Sequence, residues 1–191
     1  MKSKHLKGEH GYIYSQKRRY LLASIIGLLI IIPMYLIDRF VLLEGNVLLL
    51  ITVLLVLPLT QFIVKFIVYL PFKECNKEVY TKFEKLSDSL VCLSSLVMVR
   101  GKKTLFYQLA IVSGKEITLL IDEKKSRKEM MEYKELVEKL IRPKGYSTKV
   151  RIFNSEKEMY SYINNDLSIL LNNVNPSDQV ELANILLDNA I

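Results

Sequence analysis

Two long stretches without a charged side chain constrain this sequence of 191 residues more than any other feature. The first extends from Tyr20 to Ile37 and the second from Gly45 to Val64, although a quarter of all residues are charged. A helix rises about 1.5 Å per residue, so about 20 apolar residues cross a hydrocarbon layer of roughly 30 Å. The sequence therefore predicts a hairpin of two transmembrane helices, over residues 21–37 and 46–70.

Basic side chains flank the outer ends of these stretches. Residues 1–20 hold six Lys or Arg against one acid, whereas the loop between the stretches has Arg39 alone. Cytoplasmic segments near membrane spans carry an excess of Lys and Arg, so we predict a multi-pass protein of a bacterial-type inner membrane with both termini in the cytoplasm. The residues predicted to lie at the lipid interface are Lys17, Arg18, Arg19, Tyr20, Lys65 and Lys73.

The composition of the rest of the chain predicts a soluble domain. Residues 74–191 hold 18 basic and 17 acidic side chains, so the pI of about 9.3 reflects the N-terminal segment, and nucleic acid is not an expected partner. Cys75 and Cys92 are predicted to be free thiols, because two cysteines in a cytoplasmic domain do not make a disulfide framework. No spacing typical of a metal or cofactor site is found, so we predict neither.

Periodicity predicts the order α-β-β-β-α-β-α-α for a cytoplasmic α/β domain. Ser126 and Glu129 form a capping-box pattern at the start of one helix. The predicted helices cover residues 76–89, 126–141, 155–164 and 177–189, and the strands cover 93–100, 104–113, 115–122 and 148–153. The predicted division is a basic cytoplasmic tail (1–20), a transmembrane hairpin (21–72) and the α/β domain (74–191).

Residues 106–112 and 121–124 resemble the paired strands of nuclease-related domains, and residues 76–153 have the core order of the restriction-endonuclease-like fold. That resemblance implies a carboxylate that holds Mg²⁺ and a lysine that helps to activate water, at Asp122 and Lys124. It also implies a second carboxylate on the preceding strand, where this chain has Tyr107 and Gln108. A hard divalent cation is held poorly by one carboxylate, so this motif is incomplete.

Our leading hypothesis is a non-enzymatic, membrane-anchored module that presents a cytoplasmic interaction or regulatory surface, as a subunit or accessory of a membrane complex. The lipid bilayer and a protein partner or second copy are the expected partners, and Gln61, a polar residue inside the second stretch, is a candidate for a helix–helix hydrogen bond. One alternative is a membrane-bound, metal-dependent nuclease-like domain that uses Asp122 and Lys124. Another is a module that binds anionic lipid or a small ligand.

Overall fold

A computed structural model describes residues 6–40, 47–86, 89–100, 103–113, 115–122, 125–171 and 175–191. The chain divides into two compact units. One unit comprises residues 13–73, and the other combines residues 74–191 with the N-terminal residues up to Tyr12. The apolar hairpin is therefore inserted between two pieces of sequence that fold together.

Two long helices, α1 (Tyr12–Phe40) and α2 (Val47–Tyr69), form the hairpin unit. At about 1.5 Å per residue they are roughly 43 Å and 35 Å long. Only 6% and 11% of the residues in their most apolar windows are buried, so nearly all of the leucine, isoleucine and valine side chains there are exposed. Both helices are long and apolar enough to cross a membrane.

Small and polar side chains inside the hairpin have local roles. A Cβ atom on Gly27 would lie 2.7 Å from Leu59 Cδ1, so the glycine permits the close approach of the two helices. Ser24 donates to the carbonyl of Tyr20 at 2.8 Å, and Thr60 makes the equivalent bond to the carbonyl four residues earlier in α2. These hydroxyls are therefore satisfied within their own helices.

The other unit is built on a four-stranded sheet with the strands in sequence order. The first three strands form an antiparallel meander, and the fourth lies parallel to the third. A parallel neighbour requires a crossover, which helix α4 (Arg127–Ile141) and a 3-10 turn (Arg142–Lys144) provide. The strands are β1 (Val91–Arg100), β2 (Lys103–Val112), β3 (Glu116–Leu120) and β4 (Lys149–Phe153).

Helices cover both faces of this sheet. One face packs against α4 and α6 (Pro176–Asn189), and the other packs against α3 (Lys77–Glu84) and α5 (Glu156–Leu171). Alternate residues of a strand point to opposite faces, and the second half of β2 follows this rule: Leu109 and Ile111 belong to the α3/α5 core, while Ala110 and Val112 belong to the α4/α6 core. Tyr107, earlier in β2, also belongs to the α4/α6 core, so the alternation shifts between Tyr107 and Leu109.

Ser95 interrupts the alternation of β1. It has a φ of 57°, the one non-glycine residue with a positive φ in the described part of the chain. Its left-handed backbone brings Leu93 and Leu96 onto the same α4/α6 face, although their spacing would place them on opposite faces of a regular strand. The Ser95 hydroxyl accepts a hydrogen bond from the Cys75 N–H at 3.0 Å, which holds the start of the domain against β1.

The predicted element order and the mixed α/β class of the domain are confirmed. The Ser126–Glu129 capping box is also present, with both reciprocal bonds. In the domain, the ends of two helices differ from the prediction by more than two residues. Helix α3 ends at Glu84 because the chain turns there toward β1, and α5 continues to Leu171 because Leu170 still packs in the α3/α5 core.

The N-terminal residues differ from the separate basic tail predicted over residues 1–20. Residues from Tyr12 onward belong to α1, and the preceding residues pack on the domain. The Gly8 carbonyl accepts a hydrogen bond from the Ser94 N–H at 2.7 Å, Gly11 N–H donates to the carboxylate of Glu74, and His10 Nε2 lies 2.9 Å from the Cys75 carbonyl oxygen. The distant partners of this segment leave no signal in its own sequence.

Candidate functional site

A pocket of about 270 Å³ lies where strands β3 and β4 end. Parallel strands have their carboxyl ends at the same edge of a sheet, so Asp122, which follows β3, and Asn154, which follows β4, reach one opening. We call this opening the strand-end pocket. Its lining residues are Val79, Gln108, Leu120, Ile121, Asp122, Asn154 and Glu156.

The pocket contains a second carboxylate that the sequence analysis did not identify. Glu156, in the first turn of α5, lines the pocket together with Asp122. The carboxylate of Glu156 also forms an ion pair with Lys82 of α3, at 3.2 Å. A strand over residues 148–153 was predicted, but its parallel pairing with β3 was not. That pairing is the signal that would have placed Glu156 near Asp122.

The other residues considered for the nuclease-like motif do not all lie in this pocket. Gln108 lines the pocket, whereas Tyr107 points to the opposite face and donates from its buried hydroxyl to the Tyr133 carbonyl at 2.9 Å. Lys124 lies outside the described residues. No cluster of three or more His, Cys, Asp or Glu able to hold a metal ion occurs among the described residues. The pocket therefore offers two carboxylates and two amides to a polar ligand.

A second polar cluster lies on the α5 face of the sheet. Glu116 Oε1 accepts a hydrogen bond from the Tyr162 hydroxyl at 2.8 Å and lies 2.7 Å from Arg151 Nε. The contact with Arg151 is an ion pair whose orientation departs from that of a hydrogen bond. Burial of Tyr162 and its bond to Glu116 raise the pKa of its phenol to about 12. This cluster satisfies a buried carboxylate and holds β3, β4 and α5 together.

Both cysteines are free thiols. Burial is the main cause that raises the pKa of Cys75 to about 11 and that of Cys92 to about 12, and nearby carboxylates add to it. A thiol reacts as the thiolate, so at neutral pH neither cysteine is suited to nucleophilic chemistry. Both side chains belong to or pack against the α3/α5 core, which makes them structural residues.

The predicted interface residues lie where α1 begins and where α2 ends, and we call this end of the two helices the base of the hairpin. Lys17 Nζ donates to the carbonyls of Leu70 and Phe72, at 3.0 and 2.5 Å, and so satisfies acceptors at the end of α2. Tyr20 stacks on Tyr69 with ring centroids 5.9 Å apart, and Lys65 Nζ lies 5.6 Å from the Tyr20 centroid. The side chains of Arg18, Arg19 and Lys73 are exposed.

Gln61 is exposed on α2 and makes no hydrogen bond with the described part of the chain. The helix–helix bond that we considered within the hairpin is therefore not formed between the described residues. An apolar groove of about 370 Å³ lies elsewhere in the hairpin unit, between Gly27 of α1 and Pro58 of α2.

In comparisons with protein-family models, curated proteins and solved structures, nothing matches this chain.

Proposed function

We propose that this protein is a membrane-anchored interaction module of a bacterial-type inner membrane. The hairpin of α1 and α2 crosses the bilayer twice, and the α/β domain works in the cytoplasm as a subunit or accessory of a membrane complex. The observation that carries this proposal is the exposure of the two apolar helices, which places about nine-tenths of each apolar window on the surface. Such a surface is stable in lipid and promotes aggregation in water.

The base of the hairpin supports the same proposal. Tyrosine rings and lysine ammonium groups suit the headgroup layer of a bilayer, and Tyr20, Tyr69 and Lys65 cluster at that end of the helices. Arg18 and Arg19 are exposed beside them, where anionic headgroups attract basic side chains. Positive charge at this end and a single arginine in the loop favour a cytoplasmic location for both termini.

Gln61 supports the role of the module within a complex. Its amide is exposed on a largely apolar helix, and a primary amide in hydrocarbon is stabilised when another polar group pairs with it. A second copy of this chain or the helix of a partner protein would supply that group. Gln61→Leu is expected to reduce crosslinked oligomers or complexes in native membranes, while Thr60→Val, which removes a hydroxyl already bonded within α2, leaves them unchanged.

The membrane location and orientation can be tested with one set of variants. A Cys75→Ser/Cys92→Ser background receives a single cysteine, either Leu42→Cys in the loop or Lys128→Cys in the domain. We expect the protein to sediment with membranes after carbonate washing, and an impermeant maleimide added to intact cells to label position 42 only. Recovery in the supernatant, or labelling of position 128 alone, would contradict the proposal.

A second candidate function is favoured by one observation, the presence of Asp122 and Glu156 in the same strand-end pocket. Two carboxylates hold a hard divalent cation better than one, and this candidate is the metal-dependent nuclease-like domain. It predicts that the full chain in detergent binds Mn²⁺ in calorimetry and that Asp122→Asn and Glu156→Gln each abolish the heat. Glu158→Gln is the matched control. No heat with the native chain would eliminate this candidate.

A further inference from the structure

The two edges of the sheet differ in how far other segments of the chain cover them. The outer edge of β1 is covered by both ends of the protein, because Ser94 N–H donates to Gly8 O and Ile191 N–H donates to Val97 O, at 2.7 and 2.8 Å. On the outer side of β4, no strand pairs within the part of the chain that the structure describes. A sheet edge with unpaired main-chain groups is a template for another strand.

The register shows which groups of β4 are available. Lys149 N–H donates to Lys115 O, and Phe153 O accepts from Ile121 N–H, so the odd-numbered residues of β4 direct their main-chain groups toward β3. Successive residues of a strand direct these groups to opposite sides. The N–H and C=O groups of Val150 and Ile152 therefore face outward, at the spacing that an added strand requires.

A groove of about 350 Å³ runs along this edge, between β4 and α4. Its apolar lining residues include Met130 and Met131, flexible side chains that adapt to varied partners. Four basic residues line it: Arg127, Lys134, Lys149 and Arg151, of which Arg151 directs its guanidinium to Glu116 on the α5 face.

The charge of this groove is only partly neutralised. Lys134 pairs with Glu138 at 3.7 Å, and Arg151 pairs with Glu116. Arg127 and Lys149 form no ion pair with the described residues, so they are available to a partner.

We propose that the outer edge of β4 binds an extended acidic segment of a partner protein as a fifth strand. Outward main-chain groups would provide the pairing, Met130 and Met131 would contact alternate apolar side chains, and Arg127 and Lys149 would select acidic residues. A second copy of β4 is disfavoured, because antiparallel pairing about Arg151 would set like charges against each other. The inference rests on the proposed function and names the partner class of the interaction module.

The test uses the full chain in zwitterionic nanodiscs and fluorescent decapeptides. One peptide alternates glutamate with valine, a second alternates lysine with valine, and a third has prolines in place of the central valines. We expect the first peptide alone to raise the anisotropy. Hydrogen exchange should then slow at the amides of Val150 and Ile152, while the amide of Arg151, which already faces β3, stays unchanged.

Two variants separate pairing from charge. Ile152→Pro removes an outward N–H without breaking the bonds to β3, and we expect about tenfold weaker binding of the acidic peptide. Arg127→Glu/Lys149→Glu should exchange the preference for that of the lysine peptide. Lys139→Glu, on the exposed surface of α4, is the control with no expected change.

Three results would overturn the inference. The first is absence of binding by the acidic peptide, which would leave the basic groups with only the role of protecting an edge against aggregation. The second is binding without slower exchange at Val150 and Ile152. The third is binding to phosphatidylglycerol vesicles, instead of the peptide, that is lost in Arg127→Glu/Lys149→Glu. Each leaves the membrane assignment intact, because sedimentation and labelling at position 42 test that separately.

Discussion

Replacing Arg151 by methionine will leave the carboxylate of Glu116 without its cationic partner. The two side chains are 2.7 Å apart, with exposed fractions of 37% for Arg151 and 10% for Glu116. The Arg151 guanidinium carbon lies 4.6 Å from the centroid of the Tyr162 ring, so methionine keeps the aliphatic part of the side chain but removes the charge and this cation–π contact. Tyr162 remains as a neutral donor to the same oxygen.

The expected loss of stability lies between two known limits. Exposed ion pairs contribute about 0.2–1 kcal/mol, and removal of one member of a fully buried pair costs about 3–5 kcal/mol. Because Glu116 is buried but Arg151 is more than a third exposed, we expect about 2 kcal/mol for Arg151→Met. The double variant Glu116→Gln/Arg151→Met has no isolated charge and is expected to recover more than half of this loss.

The two native cysteines provide the assay in the intact protein. Their thiols are buried or half-buried in the α3/α5 core, and their raised pKa values keep them protonated at pH 8. Labelling in mild denaturant therefore reports the unfolded fraction of the domain. A loss of about 2 kcal/mol corresponds to labelling about 30-fold faster.

Arg142→Met is the matched control, because the Arg142–Glu138 pair lies on the surface, with 74% of the arginine side chain exposed. We expect less than a threefold change in its labelling rate, corresponding to about 0.6 kcal/mol. The reasoning fails if Arg151→Met labels no faster than Arg142→Met. It also fails if the double variant is less stable than Arg151→Met, since the isolated charge would then not be the cause.

Three further predictions concern other parts of the chain. Gln179→Leu removes the buried donor to two carbonyls, at 2.7 and 2.8 Å, and should cost about 3 kcal/mol by the same thiol assay. Lys17→Met should speed hydrogen exchange at the end of α2 about fivefold, because two carbonyls lose a donor, whereas Arg18→Met should not. Hydrogen bonds from Ser126 and Lys125 lower the pKa of Glu129 from 4.5 to about 2, so its charge stabilises the domain above pH 4.5 and loses this effect toward pH 2. The difference in melting temperature between the native chain and Glu129→Gln should shrink over that interval.

Features with a local cause could be predicted from the sequence. The Ser126–Glu129 capping box follows from two residues in one turn, and the order of helices and strands follows from periodicity. The two apolar stretches can also be recognised from the sequence. The helix α1 nevertheless begins at Tyr12, before the predicted span, because it includes the basic segment that precedes the first apolar stretch.

Features that depend on distant contacts could not be predicted. The parallel pairing of β3 and β4 brings Glu156 into the pocket of Asp122, and neither residue carries a local sign of the other. The left-handed backbone of Ser95 is equally unmarked, since serine is an ordinary strand residue. Two of the four carboxylate and amide residues of the strand-end pocket, Asp122 and Gln108, were thus considered in advance, while Asn154 and Glu156 required the fold.

The insertion of the hairpin within the domain sets an order of events during synthesis. The segment that contains Gly8 leaves the ribosome first, yet its partner Ser94 is made only after both apolar helices. The hydrogen bond between Gly8 and Ser94 therefore cannot form until both apolar helices have been translated. Until Ser94 has been made, the Gly8 carbonyl lacks this partner, so this edge of the sheet is closed only after the hairpin has been synthesised.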